Sequence, residues 1–242
     1  MSDKIAFCSF AFGHGYYDTQ QRLKESILKI YPDAPLFFYS DSRRNQVGDN
    51  SLGDEPGAAE RASWDRSFKH TGPPPGARPF HQSMYGFKPY LIQAALDAGH
   101  KKVVFFDPSI ILLQPLTCFE TLVKDYGVLA FEDCGLTGAI SNQCLAHFGL
   151  SRDWASDKIL VAGSFYFFDF NLDLCQKIFS QWKASEQAGA FGSQSEASEG
   201  LIPGHRSDEA ALSCCLYKNG SKPLSYQTEF SSVIVKKHHF KC

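Results

Sequence analysis

The stretch VVFFDPSIILLQPL, residues 103–116, decides the fold. It is a run of strand-forming residues broken once by Asp-Pro-Ser and then resumed, so one carboxylate, Asp107, stands between two apolar halves. Asp-Pro favours a turn, and apolar sequence on both sides places that turn at the end of a buried strand. Upstream, HQSMYGFKPYLIQAALDAG (81–99) has helical spacing, with Pro89 tolerated in the first turn, Leu91, Ala94 and Ala95 facing inward and Gly99 ending it. A helix leading straight into a strand that stops at a carboxylate is the repeating unit of an open α/β sheet.

The rest of the chain fits that unit. KIAFCSFAF reads as a first strand and YYDTQQRLKESILKI as a helix with Asp18 or Thr19 near its N-cap, Leu23, Ile27 and Ile30 on one face and Pro32 beyond its end. PLFFYSD is a second strand ending at Asp41, which completes a β-α-β unit and predicts a right-handed parallel crossover. GVLAFED and LVAGSFYFFDF are further strands, NLDLCQKIFSQWKAS and SDEAALSCCLYKNG further helices, the latter with Ser207 at its N-cap and Gly220 at its end, and SSVIVKKHHF a last strand. The reading is one α/β domain over 1–242, a mostly parallel mixed sheet with helices on both faces. Two long polar loops, 42–80 and 185–206, interrupt it, and such loops are functional more often than ordinary connections are. Sheets of this kind bind ligands at the carboxyl ends of their strands.

Composition narrows the partners. A formal net charge of -2, with basic residues scattered through the chain, gives no general attraction to nucleic acid or anionic membranes. No stretch is apolar for long enough to span a bilayer, and MSDKIAFCSFAFG lacks the layout of a secretion signal. The eight cysteines show no CxxC spacing, which predicts reduced thiols in a cytoplasmic protein, with Cys214 and Cys215 in the core.

The segment at 103–116 resembles that of GT-A-fold glycosyltransferases, where hydrophobic residues precede an Asp-X-Asp motif and Pro-Leu follows. In that family the carboxylates bind a divalent cation, Mn²⁺ or Mg²⁺, that bridges the diphosphate of a nucleotide sugar. The resemblance continues in order along the chain. GFKPYLIQAAL is similar to the helix whose first lysine, here Lys88, faces the donor; VAGSFYFFDFN to the strand that places Ala162, Gly163 and Ser164 at the sugar; HRSDEAALSCC to the Asp-Gln or Asp-Glu opening of the next helix, here Asp208 and Glu209. SSVIVKKHHF is similar to the C-terminal strand whose end supplies a histidine ligand, His238 or His239, beside Asp107. One position departs from the pattern. The second Asp is Ser109, a neutral and poorer ligand, and in its place Lys88, Lys236 or Lys237 offers charge for the leaving diphosphate.

The resemblance implies a glycosyltransferase that moves a sugar from a nucleoside diphosphate sugar to a hydroxyl of a carbohydrate or other acceptor. Ser9, Phe10, Ala11 and Asp41 would hold the nucleoside, and Asp107 and Ser109 the diphosphate. Asp208 or Glu209 would grip the sugar or act as base. Plainer readings stand beside these: a turn at Asp107, helix-end charges at Asp208 and Glu209, close packing at Gly163, and polar residues on a terminal strand at His238 and His239. The competing functions are a sugar-nucleotide-binding protein of the same fold that has lost catalysis, with Ser109 as its mark, and an Asp-nucleophile phosphatase. The latter lacks the second Asp and the Thr its strand end needs.

Overall fold

The computed structural model describes residues 4–11, 14–40, 70–71, 74–202, 204–225 and 232–236. Its frame is a six-stranded sheet of β1 (Ile5–Ala11), β2 (Leu36–Ser40), β3 (His70–Thr71), β4 (Lys102–Phe106), β6 (Val128–Gly135) and β7 (Ile159–Asp169), in the order β3-β2-β1-β4-β7-β6. The first four are parallel neighbours, and β7 runs antiparallel to both β4 and β6. The chain enters through the expected parallel unit: β1, helix α1 (His14–Ile30), then β2, with Phe7 opposite Leu36. Past Asp107 the apolar run becomes β5 (Ile110–Leu112), which leaves the main sheet and pairs antiparallel with β8 (Ile234–Lys236).

Period-2 alternation assigns the two faces. Ala6, Cys8 and Phe10 of β1, Val103 and Phe105 of β4, and Tyr166 and Phe168 of β7 pack under α2 (Phe87–Asp97), α5 (Asp173–Gln187) and α7 (Ser207–Lys218). Phe7, Val104, Phe106, Phe165 and Phe167 turn the other way, onto Leu23 and Ile27 of α1 and Phe119 and Val123 of α3 (Thr117–Tyr126). Strands buried on both faces read as continuous apolar runs, which is the pattern of FYFFDF. Cys214 and Cys215 are buried.

Several expectations at element ends are corrected. Helix α1 starts at His14, so Asp18 and Thr19 lie inside it, and the Thr19 hydroxyl donates back to the Tyr16 carbonyl. Helix α2 starts at Phe87 because Tyr85 sits at φ 58° and breaks the pattern before it; Ile92 turns inward and Ala94 is half-buried. Ser207 is no cap: Arg206 holds the N-cap position of α7, and Ser207 itself takes φ 34°. Two helices went unread in the sequence, α3 and α4 (Asn142–Phe148), the latter capped by the Ser141 hydroxyl, which accepts from the Cys144 N–H at 3.1 Å. Inside the loop 185–206 lies α6 (Gln194–Ser198), closed by a capping box between Ser193 and Glu196. Most of the 42–80 loop lies outside the described residues. Among the described residues no helix is long and apolar enough to cross a membrane.

Candidate functional site

A cleft of about 500 Å³ opens at the carboxyl ends of β1 and β4. Phe10 comes from β1, Asp107 and Pro108 from the turn after β4, and Ala162, Gly163 and Ser164 from β7, which enters the sheet at this end because it runs the opposite way. Residues 84–88 form one wall and His205 to Glu209 another.

The floor is built around Gly163. Its N–H donates to Glu209 Oε1 at 2.9 Å, and its carbonyl accepts from Lys88 Nζ at 3.1 Å. A Cβ at this position would lie 2.3 Å from Glu209 Oε1 and 2.9 Å from Lys88 Nζ, so two charged groups approach the backbone where only glycine leaves room. Lys88 Nζ also donates to Asp208 Oδ2 at 2.6 Å, in an ion pair whose side chains are 6% and 3% exposed. Tyr166 donates to the same oxygen at 2.8 Å, and the Trp182 indole N–H donates to the Asp208 carbonyl at 3.0 Å. The Lys88 ammonium lies 5.1–5.2 Å from the ring centres of Tyr85, Phe105 and Tyr166.

This geometry fixes the charges. Burial pulls the Lys88 ammonium towards neutrality, but the Asp208 and Glu209 carboxylates outweigh it, and its pKa rises above the ordinary lysine value. Burial, then the same two carboxylates, pushes the Tyr166 phenol well above its ordinary range, so it stays a donor. Glu209 is raised by burial and then by Asp208, against the opposing pull of Arg206. Arg206 bridges elements, donating from Nε to Glu209 Oε2 at 2.7 Å and from a terminal nitrogen to Asp133 of β6 at 3.3 Å. His205 fastens the loop that carries it: its Nδ1 accepts from the Ser141 N–H at 3.2 Å, so Nε2 carries the proton and faces the Ala190 carbonyl at 3.0 Å.

At the other end of the cleft, Asp107 Oδ1 accepts from the Ser109 N–H at 2.9 Å and from the Ser109 hydroxyl at 2.5 Å. None of the described residues donates to Oδ2. One carboxylate oxygen at a cleft wall suits a hard cation such as Mg²⁺, which commonly takes one or two protein carboxylates and fills its shell with phosphate and water. Among the described residues, no group of three His, Cys, Asp or Glu side chains is placed to hold a metal.

Of the residues expected from sequence, Phe10, Lys88, Asp107, Ala162, Gly163, Ser164, Asp208 and Glu209 all line this one cleft. Ser9 and Ala11 do not: both are fully buried beneath it, Ser9 on the face turned to α1. Ser109 is buried and spends its hydroxyl on Asp107, so it orients that carboxylate and does not reach the cleft. Asp41, Lys237, His238 and His239 lie outside the described residues, and Lys236 is placed through its strand alone. The sequence reading missed Tyr85, Tyr166, His205, Arg206 and Asp133. Tyr166 was hidden in an aromatic run that reads as core, and Arg206 and Asp133 are 73 residues apart.

No protein-family model matches the sequence, and no curated protein matches it. Solved structures do match. The bifunctional glycosyltransferase WbbM, in its apo form, superposes with a TM-score of 0.50 at 9% identity over 93% of this chain, which spans 39% of the WbbM chain. Weaker likenesses are mouse xyloside xylosyltransferase 1, at TM-score 0.47, 8% identity and coverage of 92% of this chain and 85% of that one, and an active-site mutant of LgtC, at 0.41, 14%, 87% and 70%. Together with the strand order, the WbbM likeness establishes the GT-A glycosyltransferase fold for this α/β chain.

Proposed function

We propose that this chain is a glycosyltransferase that moves a sugar from a nucleoside diphosphate sugar to a hydroxyl of a carbohydrate or other acceptor. The observation that carries the proposal is the meeting of Gly163, Lys88, Asp208 and Glu209 at one end of a strand-end cleft whose other end holds Asp107. Phe10 sides the nucleoside, Asp107 the diphosphate, and Gly163 with Ser164 the sugar.

The two adjacent carboxylates divide the work. Asp208 Oδ2 is held by Lys88 and Tyr166, whereas nothing among the described residues donates to Oδ1, so Asp208 grips a sugar hydroxyl as an acceptor. Glu209 has the raised proton affinity a general base needs. As the acceptor oxygen bonds to the anomeric carbon, its proton passes to Glu209, and the carbon-oxygen bond to the diphosphate breaks with its electron pair leaving on the diphosphate. Lys88 spends two of its three N–H bonds on Asp208 and Gly163, and the third is available to the donor. Asp107, with His238 or His239, would hold a divalent cation, Mn²⁺ or Mg²⁺, which would supply positive charge for the leaving phosphates.

A thermal-shift panel of nucleoside diphosphates with and without Mn²⁺ tests the reading. One base is expected to stabilise the protein, and no shift under any condition would refute the proposal. Release of nucleoside diphosphate from the matching donor separates a transferase from a silent binding protein. The product anomer tests Glu209: inversion is expected, and retention removes it as the base.

A further inference from the structure

We propose that Tyr85 is the sugar-stacking residue of the acceptor subsite, and that this subsite takes a neutral pyranose and rejects an acidic one. The inference rests on the glycosyltransferase reading above and names its acceptor class.

Three independent observations converge on Tyr85. The first is exposure: among the described residues the exposed large hydrophobics are Tyr16, Tyr85, Leu113, Ile159 and Leu201, and the two aromatic ones both line the cleft. Tyr85 is 45% exposed there. The second is strain. A bulky side chain at φ 58° is held against its own preference, and the surroundings hold it firmly. Phe80 meets its ring edge-to-face at 5.3 Å, Lys88 Nζ stands 5.1 Å from its centre, and the Lys88 N–H donates to the Tyr85 carbonyl at 3.1 Å. The segment is anchored further back by Arg78, whose Nε donates to the fully buried Glu186 at 2.9 Å, and by the Met84 N–H on the Gly192 carbonyl at 3.1 Å. An amphipathic ring fixed in this way offers contact area with little ordering left to lose on binding.

The third observation is electrostatic and selects the ligand. Geometry places the Tyr85 ring at the sugar end: the Lys88 ammonium 5.1 Å from its centre is the one that pairs with Asp208. Among the described residues four carboxylates line the cleft, Asp107, Asp133, Asp208 and Glu209, against two cations, Lys88 and Arg206, each already paired with carboxylates of that set. Carboxylates accept from sugar hydroxyls, and an aromatic ring covers the apolar C–H face of a pyranose. An acidic sugar at the same place would meet uncompensated like charge, which costs binding.

The test uses the full chain saturated with whichever nucleoside diphosphate stabilises it, titrated by saturation-transfer NMR with methyl glucoside, methyl galactoside, methyl xyloside and methyl glucuronoside. At least one neutral glycoside is expected to bind at least tenfold more tightly than the glucuronoside. Tyr85→Ala should weaken that glycoside about tenfold and Tyr85→Phe should restore it, both variants keeping the nucleoside diphosphate shift. Equal binding of the glucuronoside, unchanged binding by Tyr85→Ala, or no glycoside binding to the wild type overturns the inference while leaving the donor site standing. Absence of any nucleoside diphosphate shift in the wild type overturns the glycosyltransferase reading itself.

Discussion

Substitution of Lys88 by methionine isolates the interaction on which the Gly163 end of the cleft depends. Methionine fills the space between Tyr85, Phe105 and Tyr166 with a side chain that those rings accept, so the main loss is the charge. Asp208 would keep its Tyr166 bond but be left with 3% of its side chain exposed and no cation beside it. Breaking a buried pair from one side costs about 3–5 kcal/mol. For a chain of this length that corresponds to a fall in Tm of about 6–20 °C. Asp208→Leu should cost a comparable amount, because it strands the ammonium. The double variant Lys88→Met with Asp208→Leu removes both charges, and apolar replacement of a whole buried pair is often close to neutral. It should therefore recover most of the loss. Urea melts of the four proteins give the coupling, expected at 2 kcal/mol or more and nearly insensitive to salt, because both groups are screened by protein. A single variant within about 0.5 kcal/mol of wild type, or a cycle additive within that margin, would refute the claim that this pair is buried and mutually dependent.

Gly163→Ala places a methyl group 2.3 Å from Glu209 Oε1 and should abolish transfer while donor binding at Asp107 persists, read as lost turnover with a retained nucleoside diphosphate shift. Ser109→Asp should not create a second metal carboxylate: position 109 is buried against Asp107, so the new charge lowers Tm and leaves the Mn²⁺ response of the shift unchanged. His205 is held neutral, its pKa lowered by burial, and therefore stabilises the fold fully above the ordinary histidine range. That stability is lost as pH falls through the lowered folded value, since protonation of Nδ1 breaks the Ser141 bond. Melts at stepped pH should show a wild-type acid decline that is shallower in His205→Gln.

What the sequence made legible was whatever rested on local pattern. The apolar run stopping at Asp107, the glycine inside β7, and the acidic pair opening α7 each carry their signal within a few residues, and the structure brings them to one cleft. What it hid were contacts between distant segments. Nothing near Ser109 shows that its hydroxyl is turned onto Asp107, and nothing near Ser207 shows that Arg206, held by Asp133 from β6, displaces it as the helix start. Tyr85 was read as part of a helix because its spacing fits one; tertiary contacts with Phe80 and Lys88 override that preference.

The antiparallel course of β7 has a consequence for how this scaffold can change. The Asp107 N–H donates to the Ser164 carbonyl at 2.9 Å, so the Asp107 end and the Gly163 end of the cleft are neighbouring rungs of a single backbone ladder. On the proposed function, the spacing between Asp107 at the diphosphate and Gly163 and Ser164 at the sugar would be a fixed ruler set by main chain, indifferent to side-chain identity. The wall at 84–87 hangs beside that ruler as an exchangeable part, whereas Lys88, Asp208 and Glu209 are bound into the floor around Gly163. On the proposed function, grafting a new 84–87 segment onto the unaltered ladder would be the economical route to a new acceptor, because it would leave the alignment of the leaving group untouched.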